Sequence, residues 1–242
     1  MFFKSPKVLT WYYPNRVWGI FNFYGKDFGD ASVQNFKPSL SNNKIGIKDS
    51  AIFVKNKGIK SAVKPLVAIT FDDGPDEEIT PWILDFLKDQ NIKATFFCVG
   101  TNVQKHPKIY AQILADGHAV GNHTMNHENG FKTNDERYLE SIEQASKLID
   151  SKIFRPPYGR LRKSIERKIY QDYKIIMWSW LSFDYDQKVS IKKIIRSAKK
   201  IKSGDILVFH DNQKTKSRLK AILPSIVENL KKTGFNFRVL EG

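Results

Sequence analysis

Five short segments of the sequence carry side chains that could bind a metal ion or move a proton. They are residues 70–75 (TFDDGP), 123–127 (HTMNH), 155–159 (RPPYG), 182–186 (SFDYD) and 210–211 (HD). Carboxylates and imidazoles are ligands of divalent ions, and they are also the usual general bases and acids of enzymes. These segments are therefore candidates for a metal site and for proton-transfer groups.

The adjacent carboxylates Asp72 and Asp73 follow an apolar run and precede Gly74 and Pro75. Adjacent side chains at the end of a strand point in different directions, so one could hold a metal ion while the other handles a proton. An acidic turn without catalytic function is the competing interpretation for this segment taken alone.

His123 and His127 are four residues apart. In a helical turn they would share one face and could both reach one ion. Gly121 before them and Gly130 after them favour a short turn over a long amphipathic helix. Two imidazoles and one carboxylate would leave coordination positions open, as catalytic zinc sites require.

Two further segments have a structural and a functional interpretation. Prolines fix the backbone of residues 155–159, so the Tyr158 N–H could serve as an oxyanion donor and Arg155 could orient a carboxylate. A plain Pro-Pro turn is the alternative. His210 follows a predicted strand, where it could be a core histidine or a general acid.

The elements that must position these residues begin near residue 65, where strands and helices start to alternate. The predicted strands are residues 66–71, 94–99, 174–180, 205–209 and 235–240. The predicted helices are one that starts at Thr80 as its N-cap, then 107–115, 134–150 with Thr133 and Glu136 as a capping box, 163–170, 190–202 and 217–232. Such alternation predicts a parallel sheet, open or closed into a barrel, with its functional groups at the carboxyl ends of the strands.

Residues 1–63 form a predicted N-terminal extension that is partly irregular, with strand character at residues 45–54. The N-terminus does not match an ordinary signal peptide, and no apolar run is long enough to cross a membrane. By default the sequence predicts a cytoplasmic or peripheral membrane protein.

The formal net charge of +15 resides in the two flanks of the chain. Residues 1–65 carry 11 basic and 3 acidic side chains, and residues 188–242 carry 14 and 4, whereas residues 66–187 carry 15 and 18. The simplest interpretation of the basic flanks is that their lysines lie in solvent on exposed helix faces. The alternative is that the flanks contact an anionic surface. No nucleic-acid-binding motif accompanies the charge, and the single cysteine excludes a disulfide framework.

In this order and spacing, the five segments resemble those of the polysaccharide deacetylases, which contain a NodB-homology domain and form carbohydrate esterase family 4. The resemblance covers residues 64–242. It implies an α/β fold, a distorted (β/α) barrel, with residues 64–242 as the catalytic domain and 1–63 as its extension.

The resemblance also implies residue roles. Asp72 would be the general base and His210 the general acid. The metal ligands would be Asp73, His123 and His127. They would hold one divalent ion, for which zinc is the first expectation and cobalt, nickel or manganese are alternatives.

The remaining implied roles concern orientation and substrate contact. Arg155 would orient the base, and Asp184 would pair with Arg155. Pro157 would line the groove and the Tyr158 backbone would help to bind the oxyanion. Tyr185 and Val208, which stand where the family commonly has tryptophan and leucine, would border the pocket for the acetyl methyl.

The implied activity is removal of N-acetyl groups from an amino-sugar polysaccharide or oligosaccharide. A monomer is expected for the chain. Two alternatives are an O-acetyl esterase acting on a carbohydrate and a non-catalytic carbohydrate-binding relative. A third, suggested by the charged flanks, is a binder of anionic surfaces.

Overall fold

The computed structural model describes residues 64–242 of the chain. Eight strands, β1 to β8, lie at Leu66–Asp72, Thr95–Cys98, Ala119–Asn122, Ile153–Phe154, Lys174–Ile175, Trp180–Leu181, Ile206–His210 and Asn236–Phe237. Seven helices, α1 to α7, lie at Ile79–Asp89, Gly100–Lys105, Pro107–Ala115, Asp135–Ser146, Lys163–Ile169, Ile191–Ala198 and Lys216–Lys232. The predicted extension over residues 1–63 lies outside the described residues.

The strands form one parallel sheet in the order β5-β4-β3-β2-β1-β7-β6, with β8 beside the start of β1. Within residues 64–242 the sheet is not closed, because β5 and β6 are its two edges. Only residues 176–179 connect these edges along the chain, and so short a link spans at most about 17 Å from Ile175 to Trp180. The sheet must therefore curve into a distorted barrel that is open between β5 and β6.

Alternation along β1 separates the interior of this barrel from its outer face. The residues of β1 that face the helices join the main hydrophobic core: Val67, Ile69 and Phe71. Ala68 belongs instead to a smaller cluster inside the barrel, together with Phe97 and Ile176. Thr70 and Asp72 share the direction of Ala68, so the strand delivers a carboxylate to the interior at its carboxyl end.

Two predicted helix starts are wrong in detail. Helix α1 begins at Ile79 rather than after Thr80, and Asp76 Oδ1 accepts hydrogen bonds from the Glu78 and Ile79 N–H groups. The hydroxyl of Thr80 is occupied elsewhere, because it donates to Asp211. At α4 the cap is Asn134, whose side chain accepts from the Arg137 N–H, so the capping box predicted one residue earlier does not form.

The predicted strand over residues 174–180 is divided into β5 and β6, which lie at opposite edges of the sheet. Between them the carbonyls of Ile176 and Met177 accept hydrogen bonds from the buried Arg155 side chain. These carbonyls therefore accept hydrogen bonds from a buried guanidinium rather than from the backbone N–H groups of a neighbouring strand. Among residues 64–242, no helix is long and apolar enough to cross a membrane.

Candidate active site

Asp72 and His210 end two neighbouring strands, β1 and β7, and face each other in register. Both side chains point to the barrel interior, and strands in a sheet lie about 4.8 Å apart. His210 is the last residue of β7, one position beyond the predicted strand. The topology thus places a carboxylate and an imidazole side by side at the carboxyl edge of the sheet.

Asp73, His123 and His127 bring three potential ligand atoms together, all within 4.8 Å of one another. Asp73 Oδ1 lies 3.0 Å from His127 Nε2 and 3.6 Å from His123 Nε2. One carboxylate and two imidazoles suit zinc and related divalent ions and leave positions for water or substrate. The chemistry of the donor set therefore fits a divalent metal ion.

The two histidines meet through a loop and not through the predicted helical turn. Residues 123–127 follow β3 without helical structure, and Thr124 and His127 have left-handed φ angles of 66° and 59°. Asn122 Oδ1 accepts a hydrogen bond from the Thr124 N–H and stabilises the first of these reversals. The ring centroids of His123 and His127 lie 5.1 Å apart as a result.

Residues around this cluster determine which atoms of His123, His127 and Asp73 can bind a metal ion. His123 Nδ1 lies 2.7 Å from the Arg155 carbonyl, which can only accept, so Nδ1 carries the proton and Nε2 is left free to ligate. The ring of His127 packs edge-on against Tyr158 at 4.6 Å. Burial raises the pKa of Asp73, but its interactions with the neighbouring imidazoles of His123 and His127 outweigh burial and hold that pKa well below its ordinary value.

Arg155 is fully buried inside the barrel and holds Asp72 in place. Its Nη1 donates to Asp72 Oδ1 at 2.6 Å and to Thr70 Oγ1 at 2.7 Å. Its guanidinium carbon lies 4.0 Å from the centre of the Phe97 ring. These contacts, with the carbonyls of Ile176 and Met177, fix the guanidinium that binds the Asp72 carboxylate.

Asp184 pairs with His210, and the expected pairing of Asp184 with Arg155 is wrong. Asp184 Oδ1 lies 2.7 Å from His210 Nδ1, and its Oδ2 accepts the His210 backbone N–H at 2.9 Å. Burial lowers the pKa of His210, but the hydrogen bond and charge of Asp184, with Asp73 and Asp72 nearby, outweigh it and raise that pKa to about 9.

The chain is similar to known proteins both in sequence and in structure. The sequence profile named polysaccharide deacetylase matches residues 60–177. A peptidoglycan-N-acetylglucosamine deacetylase of Bacillus cereus is 36% identical over 180 residues, which cover 71% of this chain and 84% of the relative. A chitooligosaccharide deacetylase of Azorhizobium caulinodans is 30% identical over 153 residues, 60% of this chain and 73% of the relative. Two further relatives are longer, and the match covers 47% and 46% of their length.

A similar solved structure is that of a peptidoglycan N-acetylglucosamine deacetylase in complex with 4-naphthalen-1-yl-N-oxidanyl-benzamide. It aligns with a TM-score of 0.64 at 34% identity, over 74% of this chain and 87% of that one. This chain belongs to the polysaccharide deacetylase family. The resemblance found in its motifs is confirmed, as are the distorted barrel and the class of amide hydrolase. The domain boundary at residues 63 and 64 stays a prediction.

The remaining predicted site residues of this polysaccharide deacetylase lie around the cluster. Tyr158 has a left-handed φ of 60° and is one of the most exposed large side chains, whereas Pro157 before it is buried. Tyr185 is half exposed, and its ring meets that of His210 edge-on at 5.1 Å. Val208 is buried in β7, two residues before His210 and on the same interior side.

Sequence reasoning missed several residues that hold the site together. Asp211 accepts hydrogen bonds from the Gly74 N–H and the Thr80 hydroxyl, and a Cβ on Gly74 would lie 1.9 Å from Asp211 Oδ2. Asn102 and Asn212 contact Asp73. Only Asp211 had a signal in the sequence, its position next to His210, because the two asparagines are remote from Asp73 along the chain.

Proposed function

We propose that this chain removes N-acetyl groups from an amino-sugar glycan by hydrolysis, with a divalent ion held by Asp73, His123 and His127. The observation that carries the proposal is the arrangement of Asp72 and His210 on adjacent strand ends beside this ligand cluster. The names of the relatives, which act on peptidoglycan N-acetylglucosamine and on chitooligosaccharides, support the substrate class.

The bound ion would polarise the acetyl carbonyl and make a water molecule more acidic. Asp72 then accepts the proton of the attacking water, since Arg155 keeps its carboxylate at the edge of the cluster. The Tyr158 backbone N–H is assigned to the developing oxyanion, as the family resemblance implies. Tyr185 and Val208 are assigned to the acetyl pocket on the same basis.

His210 is assigned the second proton transfer, to the nitrogen that leaves. An amine is a poor leaving group unless it is protonated, so the acid must still hold its proton near neutral pH. Against the effect of burial, the hydrogen bond and charge of Asp184, with the charges of Asp73 and Asp72, raise the pKa of His210 to about 9, which meets that requirement. The products are acetate and a free amine on the sugar.

The proposal is tested with the full chain, loaded with zinc, on a panel of acetylated glycans that includes peptidoglycan and chitooligosaccharides. Released acetate and new primary amines are measured together, because only N-deacetylation yields equal amounts of both. Acetate without amines would replace the proposal with an O-acetyl esterase. Folded, metal-loaded protein that releases no acetate from any glycan would favour a non-catalytic relative.

Replacing His210 with alanine should reduce activity in a way that depends on the leaving group. Hydrolysis of an acetamide needs the amine to be protonated, so its rate should fall by about 10²–10⁴-fold. An activated aryl acetate expels a stable phenolate, so its rate should fall far less. Equal losses on both substrates, together with a melting temperature lower by several degrees, would show that His210 is a core histidine.

Replacing Asp184 with asparagine should shift the alkaline limb of the pH–rate profile to lower pH. Asp184 raises the pKa of His210, and activity requires protonated His210, so removal of the charge lowers the pH at which the proton is lost. We expect a shift of about 1–3 pH units, the range typical of a lost neighbouring charge. An unchanged alkaline limb in a folded variant would contradict the role of this pair.

A further inference from the structure

The proposed metal ligand Asp73 makes several hydrogen bonds to protein groups, apart from its contacts with the two histidines. Its backbone has a left-handed φ of 89°, which is uncommon for a residue with a side chain. Its N–H donates to the Phe97 carbonyl at 3.2 Å, and its own carbonyl accepts from Asn102 Nδ2 at 2.7 Å. Asn212 Nδ2 donates to its carboxylate Oδ2 at 2.7 Å.

The orientation of the Asn212 amide is fixed from both ends. Its Oδ1 accepts the backbone N–H groups of Lys214 and Thr215, at 2.9 and 3.2 Å. An amide oxygen cannot donate and an amide nitrogen cannot accept, so these bonds leave the NH₂ group to face Asp73. The turn after β7 therefore presents a neutral donor to the ligand carboxylate.

Because of this donor, the two carboxylate oxygens of Asp73 have different hydrogen-bond partners. Oδ2 is engaged by Asn212, whereas Oδ1 is the atom that lies near the Nε2 atoms of both histidines. Groups that donate hydrogen bonds to a metal ligand commonly orient that ligand and tune the affinity of the site for its metal ion. A carboxylate held in this way would offer one oxygen to a bound ion and would leave more of the coordination sphere open to substrate.

The turn that carries Asn212 begins directly after His210, the last residue of β7. The Thr215 hydroxyl donates to the His210 carbonyl at 2.5 Å, and the Thr215 side chain is fully buried. The position of the Asn212 amide is thereby coupled to that of the proposed general acid. A single turn thus connects the residue proposed to protonate the amine with Asp73, the ligand that follows β1.

We propose that Asn212 is a positioning residue that restricts Asp73 to one-oxygen ligation through Oδ1. The inference rests on the proposed metal-dependent function and assigns a role to a residue outside the five motif segments. The neutrality of the amide matters as well, because it holds the carboxylate without adding charge to the cluster.

The test compares Asn212→Ser with Asn134→Ser in the full chain. Serine can still accept N–H groups in a turn, but its side chain is too short to reach Asp73 Oδ2. Asn134 also accepts a backbone N–H, at the start of α4, so the control makes the same substitution away from Asp73. Zinc affinity is measured by competition with a chelator, and the coordination by the visible absorption of the cobalt-loaded protein.

We expect Asn212→Ser to bind zinc about 10–100-fold more weakly than wild type. Its cobalt absorption should weaken, because a second Asp73 oxygen would raise the coordination number, while the control matches wild type in both measurements. Melting curves of the metal-free proteins show whether either variant is unfolded. If Asn212→Ser does not fold, Asn212→Asp, which keeps the shape and the acceptor but loses the donor, is used for the cobalt spectrum.

Zinc affinity within about twofold of the control, with an unchanged cobalt spectrum, would overturn the role of Asn212 while leaving the proposed function in place. An unchanged cobalt spectrum of Asn212→Asp would do the same. Failure of the wild-type chain to bind either ion would overturn both the inference and the proposed function. The wild-type titration therefore separates the two.

Discussion

The Asp72→Asn variant should turn over a glycan substrate about 10²–10⁴-fold more slowly than wild type, the usual effect of losing a general base. An amide cannot accept the proton of the attacking water. The ligands Asp73, His123 and His127 are unchanged, so the variant should still bind its ion. Acetate release and bound metal are measured on the same preparation.

The structure adds a stability effect to this prediction. Asp72 and Arg155 form a buried ion pair, and removal of one charge from such a pair commonly destabilises a protein by about 3–5 kcal/mol. Asparagine can still accept a hydrogen bond from Arg155, which places the expected loss toward the lower end. The activity assay must therefore run well below the melting temperature of the variant.

Thr70→Val is a suitable control for this destabilisation. It removes another hydrogen-bond partner of Arg155 inside the barrel and leaves the carboxylate of Asp72 in place. We expect it to lower the melting temperature but to retain far more activity than Asp72→Asn. Turnover near the wild-type rate in metal-loaded Asp72→Asn would exclude Asp72 as the base.

Replacing His127 with alanine should abolish tight metal binding and reduce activity to background. A carboxylate and one imidazole are too few ligands for a tight site, and the ion supplies the carbonyl polarisation on which the reaction depends. His127 is a better target than His123, because it is partly exposed, whereas His123 is buried and bonded to the Arg155 carbonyl. Metal content and acetate release are the measurements.

Chelation of the wild-type protein should have the same effect, and added divalent ion should reverse it. The same concentration of ion should not rescue His127→Ala. His106→Ala provides a matched control, since His106 is partly exposed at the junction of α2 and α3 and outside the ligand cluster. Full metal stoichiometry in His127→Ala would contradict the assignment of the site.

The sequence was sufficient for much of the local structure. Helix α3 begins and ends where its pattern predicts, and β1 and β7 were each predicted to within one residue. Apolar periodicity and turn residues act over a few neighbours, so they are visible in the chain itself. The parallel alternation also implied that chemical groups at strand ends would meet at one edge, which brings Asp72 beside His210.

Only the tertiary structure decided how these groups pair. Asp184 could have met Arg155 or His210, and the choice depends on β6 and β7 being neighbours in the sheet. The histidine pair depends on left-handed residues in a loop rather than on helical spacing. Asn212 reaches Asp73 across 139 residues of chain. Such contacts depend on the packing of distant segments, which local periodicity does not encode, and the sequence alone therefore predicted the reactive groups but not the hydrogen bonds that orient them.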